Sequence, residues 1–154
     1  VSACAMVAEV IAYYKTQGKN VFQVLAEIYS QFGFYKESLI SVTKKGKDGA
    51  EQIQKLMADF RTNPPKEMNG SAVVKVVDVK NSTITHVQTG QVEKLDMDKS
   101  NVMQFYLADG SKISARPSGT EPKIKCYVEI VTSDKSIAHS LLEQLRPSLR
   151  ELLS

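Results

Sequence analysis

The segment from Lys123 to Thr132 alternates without a break: Ile124, Cys126, Val128 and Ile130 fall on one side, Lys123, Lys125, Tyr127 and Glu129 on the other. A period of two marks a strand buried on one face and wetted on the other, and antiparallel sheets are the setting that permits it. A chain with such a strand needs further strands beside it and a layer to cover the apolar face. Asn101 to Leu107 runs through Asp109-Gly110 into Ser111 to Arg116, and Asp-Gly between patterned segments is a strong hairpin signal. Valine-rich Ala72 to Val79, and Phe34 to Thr43 with its aromatic and β-branched residues, read as further strands.

Two helical patterns supply the cover. Asp48 and Glu51 can cap a helix carrying Ile53, Leu56, Met57 and Phe60, which Asn63, Pro64 and Pro65 stop. The last helix starts near Ser133 or Asp134 and carries Ile137, Leu141, Leu142, Leu145, Leu149 and Leu152, with Pro147 expected to bend it. This order predicts an α+β domain whose antiparallel sheet has helices on one face and exposes the other. Residues 80–100 are polar and weakly patterned, which fits a loop or a short extra hairpin.

The start of the chain is different. Ala3, Met6, Val7, Val10, Ile11 and Tyr14 recur at helical spacing. Asn20 and Gln23 form a capping pair before a second helix with Val21, Val24, Leu25, Ile28 and Phe32, and Gly33 suits its end. Two short helices cannot enclose a core, so residues 1–35 read as the tail of a preceding domain and residues 36–154 as the domain that follows, with the boundary near Gly33 to Lys36. Val1 falls within the first amphipathic pattern, which predicts a piece of a longer protein.

Composition removes several function classes. No run approaches the roughly 18 apolar residues of a membrane span, and no basic segment opens a secretory signal, so a cytoplasmic protein that does not enter the membrane is expected. Cys4 and Cys126 are the two cysteines, without CxxC or Cys/His spacing, which argues for reduced thiols and against a zinc site. A net charge of +3 is far below the clustered charge of a nucleic-acid binder. Lys44, Lys45 and Lys47 read as a solvated turn, and His86 and His139 as surface residues. Cys126 belongs to the apolar side of its strand, and Tyr127 to the wetted side, as a plain sheet residue or a stacking platform for sugar.

One segment concentrates chemistry: Arg116-Pro117-Ser118-Gly119-Thr120-Glu121-Pro122-Lys123. Pro117 and Pro122 stiffen the connection, Gly119 permits positive φ or a close approach to backbone, and Ser118 and Thr120 place hydroxyls beside amides. Arg116 adds a planar fork of donors, and Lys123 and Lys125 add positive charge on the same side of the sheet as Arg116. Such groups suit a phosphate dianion, but the same residue types also build tight turns. From the residues alone, a phosphate cradle and a turn with a surface arginine both stand.

RPSGTEPKIK, preceded by SNVMQFYLADGS, resembles the C-terminal signature of the α-D-phosphohexomutases, specifically the phosphoglucomutase/phosphomannomutase family. The similarity extends back through DGAEQIQKLMADFRTNPP and into the first 35 residues, and is weakest over residues 80–100. The resemblance implies a four-domain enzyme whose last domain, similar in fold to TATA-binding-protein-like domains, closes over a hexose phosphate. It implies that Arg116, Ser118, Gly119 and Thr120 bind the phosphate that is not being transferred, with Lys123 assisting and Glu121 ordering the loop. It further implies interconversion of hexose 1-phosphate and 6-phosphate through a bisphosphorylated sugar. The family's phosphoserine loop, aspartate-rich Mg2+ loop and sugar-recognition loop have no counterpart in this sequence. No catalytic or metal-ligating residue is therefore expected here, the piece alone should be inactive, and its partners should be the phosphosugar and upstream domains of the same chain. Glucose, mannose, ribose and amino-sugar phosphates all fit, with KIK after the EP pair leaning toward glucose or mannose. The competing reading is a stand-alone anion- or nucleic-acid-binding α+β module that uses its open sheet face.

Overall fold

A computed structural model describes residues 2–46 and 48–153, so Lys47 of the basic run lies outside the described residues. Two helices come first, α1 (Ser2–Thr16) and α2 (Val21–Phe32), then β1 (Phe34–Thr43) and α3 (Gly49–Thr62). There follow β2 (Glu67–Met68), β3 (Ser71–Asp78), β4 (Thr83–His86), β5 (Val92–Lys94), β6 (Met103–Leu107), β7 (Lys112–Pro117), β8 (Lys123–Thr132) and α4 (Lys135–Leu152). The strands form one antiparallel sheet of eight, ordered β1-β8-β7-β6-β3-β4-β5, with β2 pairing to β3 off that path.

The alternation in β8 does what its period requires. Ile124, Cys126, Val128 and Ile130 are buried together with Ile113 and Ala115 of β7, Met103, Phe105 and Leu107 of β6, and Ile40 of β1. Helices α3 and α4 cover this face with Ile53, Met57 and Phe60 and with Ala138, Leu142, Leu145 and Leu149. The Phe60 and Phe105 rings meet edge to face at 5.6 Å. Each buried Ile, Leu, Met, Val or Phe side chain contributes roughly 1.5–3 kcal/mol, so the two-layer packing, not helix propensity, holds α3 and α4 in place.

Four details refine the sequence expectation, two of them as corrections. Of the loop and the short hairpin that residues 80–100 fit, the chain forms the hairpin β4–β5, which extends the sheet. The Asp48 side chain makes no capping hydrogen bond to α3. In α4, Ile137 points to solvent and Ala138 takes its place in the stripe, because positions 138, 142, 145 and 149 share one helical face. Pro147 lies inside α4 without ending it. The Asn20–Gln23 capping box of α2 forms as the sequence predicts, with Gln23 N donating to Asn20 Oδ1 at 2.9 Å and Asn20 N to Gln23 Oε1 at 2.8 Å.

Helices α1 and α2 stand apart from this core. No residue of α1 is buried, and Met6, Val7, Phe22 and Phe32 expose more than half of their surface. Val24 is buried in α2, and the Tyr29 ring packs on Phe34 at the start of β1 with 4.7 Å between centroids.

A polar tie secures the far end of the sheet. Asp78, at the end of β3, accepts hydrogen bonds from Lys80 N at 3.1 Å, Asn81 Nδ2 at 2.6 Å and Arg61 Nε at 3.3 Å. Arg61 extends from α3, also donates to Met57 O at 3.0 Å and to Asn101 Oδ1, and so joins a helix to two sheet connections. Removing one partner of a shielded pair leaves the other charge desolvated. Asp78→Ala is therefore expected to lower unfolding stability by about 3 kcal/mol in urea titration, with Asp78→Asn costing clearly less because the amide oxygen still accepts.

Candidate functional site

The connection from β7 to β8 is held by short backbone bonds. Ser118 N donates to Lys123 O at 2.7 Å, Lys123 N to Glu121 O at 2.7 Å, and Lys44 N, just past β1, to Pro122 O at 2.9 Å. Three strand ends thus grip a loop whose prolines already restrict it.

Beneath the loop, Ala115 faces Cys126 and Ile113 faces Val128 on the core side, which fixes the β7–β8 register. The same register sets Arg116 directly opposite Lys125 on the open side. Like charges in opposed cross-strand positions repel, yet no acidic side chain bonds to either of them among the described residues. The one carboxylate at the loop, Glu121, accepts from Lys123 Nζ at 2.9 Å. That hydrogen bond first, then the charge of Lys123, and more weakly the charge of Lys125, hold its carboxyl below the usual range. Arg116 and Lys125 therefore carry an unbalanced positive field into solvent beside the loop.

The hydroxyls of Ser118 and Thr120 make no hydrogen bond among the described residues. Gly119 does not have positive φ, and a Cβ built on it would meet nothing within 4 Å. Of the two reasons for glycine at this position, close approach to the backbone survives and a special dihedral does not. Arg116, Gly119 and Thr120 are exposed, and Ser118 and Lys123 are half-buried. All five expected site residues lie at one end of the open face, with Lys123 engaged by Glu121.

The placement of Lys125 beside Arg116 depends on strand pairing, which the alternation alone did not supply. The same holds for a pocket of ≈ 390 Å³ next along the open face, lined among others by Leu39 of β1, Ser114 of β7 and Tyr127 of β8. His86 sits 3.2 Å from Glu93 on the β4–β5 hairpin, and His139 is on the exposed side of α4, both distant in the fold from the loop. Among the described residues no three His, Cys, Asp or Glu side chains converge as a metal site. Among the described residues no helix is long and apolar enough to cross a membrane.

Residues 39–147 match the model of the phosphoglucomutase/phosphomannomutase C-terminal domain, a span that takes in the second half of β1, all of β2 to β8, α3 and the whole loop. The chain belongs to that family. Phosphoglucomutases of Staphylococcus aureus strains N315 and Mu50 are each 37% identical to it over 120 residues, 78% of this chain and 22% of the relative. The chain thus spans about a fifth of the length of these relatives. Among solved structures it is similar in fold to the open form of the exocytosis-sensitive phosphoprotein parafusin, a phosphoglucomutase from Paramecium, with a TM-score of 0.50 and 19% identity, over 94% of this chain and 25% of that one.

Under the loop, burial pushes the Cys126 thiol up from its ordinary 9.0 to about 12. The folded state therefore favours the neutral thiol: this contribution to stability is complete below pH 9 and is lost as pH rises toward about 12. Near neutral pH the native thiol is therefore more fully protonated than an unfolded cysteine. Exposed Cys4 is expected to react with a thiol reagent in the native chain, and Cys126 only after denaturant is added, as mass spectrometry of the labelled peptides will show.

Proposed function

We propose that this chain is the substrate-phosphate-binding domain of a phosphosugar mutase that interconverts hexose 1-phosphate and hexose 6-phosphate through a bisphosphorylated sugar. The observation that carries the reading is the Arg116–Lys125 pair, set side by side by the strand register, next to the unengaged hydroxyls of Ser118 and Thr120. A phosphate dianion between them turns a repulsive pair into two charge-assisted contacts, and the guanidinium offers two parallel donors to one phosphate. Ser118, Gly119 and Thr120 supply neutral donors and open space on the other side.

This grip reads the PO₃ group and not the carbon that bears it. A mutase working through a bisphosphate must hold a phosphate at either end of the sugar in turn, so an indiscriminate cradle is an advantage. Phosphoryl transfer itself falls to a phosphoserine and a Mg2+ loop in upstream domains of the same polypeptide, and the 154 residues alone are inactive. Residues 1–35 are assigned to the preceding domain, a reading supported by the apolar surface that α1 and α2 leave uncovered.

Titration of the chain with inorganic phosphate, followed by amide chemical shifts, tests the cradle. Arg116→Ala is expected to weaken binding at least about tenfold, and Arg116→Lys by several-fold, since an ammonium lacks the fork. Unchanged affinity in both refutes the assignment. Gly119→Ala is expected to leave thermal stability within about 0.5 kcal/mol of the parent while weakening phosphate binding, because its Cβ projects into the space the anion needs. Steeply salt-dependent binding of DNA, with no response to phosphate, would instead favour the nucleic-acid module.

A further inference from the structure

Strand β1 ends the sheet on one side, and it is a long, regular edge of the kind that invites further strand pairing. It runs ten residues, pairs with β8 in unbroken register and contains no proline. Lys44, the next residue, donates its N–H to Pro122 O at 2.9 Å, so even-numbered residues of β1 turn their backbone groups toward β8 and odd-numbered ones turn theirs outward. The outer edge is therefore made by the N–H and C=O groups of Tyr35, Glu37, Leu39, Ser41 and Thr43, and all five residues are exposed. Leu39 is 51% and Tyr35 43% accessible.

The open face leading to this edge has a definite charge order. Register places Ser41, Lys125 and Arg116 in one cross-strand row, Leu39, Tyr127 and Ser114 in the next, and Glu37, Glu129 and Lys112 in the third. The face thus passes along the strands from cations through an apolar row to carboxylates. Lys112 Nζ donates to Glu129 at 3.3 Å, whereas Glu37 and Lys125 have no ion-pair partner among the described residues. A two-fold axis through Leu39 reverses that order across the edge. Ser41 then meets the carboxylate row, and Glu37 meets the cationic row.

We infer that the β1 edge is a self-association surface, on which a second copy of this chain adds its own β1 antiparallel about Leu39 and continues the sheet. In this register Leu39 lies against Leu39 of the partner subunit, Glu37 opposite the partner's Ser41 and Tyr35 opposite the partner's Thr43. Lys125 and Glu37 of the partner subunit stand two strand spacings apart, about 9–10 Å between backbones, and their side chains meet above the short Ser41. Symmetry makes that ion pair twice. An axis at Glu37 would oppose two carboxylates, and an axis at Ser41 would oppose the two cationic rows, so charge selects Leu39 among the registers that keep odd residues facing each other. The centre of the contact then covers the apolar row that one copy leaves in water. Neither the edge nor the charge order depends on a phosphate at Arg116.

Sedimentation velocity of the 154-residue chain over a wide range of concentration tests the contact, with amide hydrogen exchange as the local readout. A monomer–dimer equilibrium is expected, with the amides of Glu37, Leu39 and Ser41 slowing in exchange as the dimer fills. Leu39→Pro removes an outward N–H and leaves the β8 ladder its donors, a placement that edge strands tolerate. It is expected to weaken dimerisation at least about tenfold, with circular dichroism unchanged. Glu37→Lys alters no backbone group, sets like charges beside Lys125 of the partner subunit, and is expected to weaken the dimer by a similar factor. Phe22→Asp, on the exposed surface of α2, is expected to leave it intact. A chain that stays monomeric at millimolar concentration overturns the inference, as does a dimer that Glu37→Lys leaves unchanged. A dimer abolished by Phe22→Asp places the contact on the helices and overturns it too.

Discussion

Arg116 and Lys125 are held beside each other by residues on the opposite side of the sheet. Slipping β7 against β8 by one position would relieve the repulsion, but it would also turn Ile113 and Ala115, or Ile124, Cys126 and Val128, out of a core in which each is almost fully buried. Burial of these side chains outweighs a screened repulsion between two solvent-facing cations. The fold thus imposes a positive pair and spends only one carboxylate near it, on Lys123. The positive field beside the loop depends on that imposed adjacency.

The surroundings keep the field simple and the geometry fixed. The group directly under the pair is the neutral Cys126 thiol, with Ala115 beside it, so no buried charge opposes the cations from below. Two helices back the sheet, and backbone bonds from β1 and β8 pin the loop. A site built in this way loses little conformational freedom when an anion arrives. The open face continues the same logic, since each row is addressed by strand register and not by a flexible loop.

Much of this fold is legible in the amino-acid sequence. Alternation in β8, the Asp109-Gly110 hairpin and the stripes of α3 and α4 each report a boundary between core and water, and that boundary dominates folding free energy. The loop stands out because prolines, hydroxyls and an arginine fall in so short a span, but the same residue types also build tight turns, and the resemblance to the mutase signature is what marks them as a phosphate cradle. Strand order is not legible, because β1 reaches its place beside β8 through pairing that no local pattern encodes. Lys125 could be placed on the same side as Arg116, but not opposite it, and Leu39 could not be placed beside Tyr127 at all. The hairpin β4–β5 escaped a firm reading because neither of its strands buries a full face, leaving no alternation to detect. Ile137 misled for a related reason: a helical stripe can be drawn through it or through Ala138, and only the facing sheet decides.

A crystal structure of the chain with a bound hexose phosphate tests the proposed cradle most directly. Phosphorus is expected at the end of β7, with the Arg116 guanidinium and the Ser118–Thr120 backbone within hydrogen-bonding distance of its oxygens. A phosphate seated instead at the Lys44–Lys45 turn or among the Lys75 and Lys112 side chains, with Arg116 left in solvent, would contradict it.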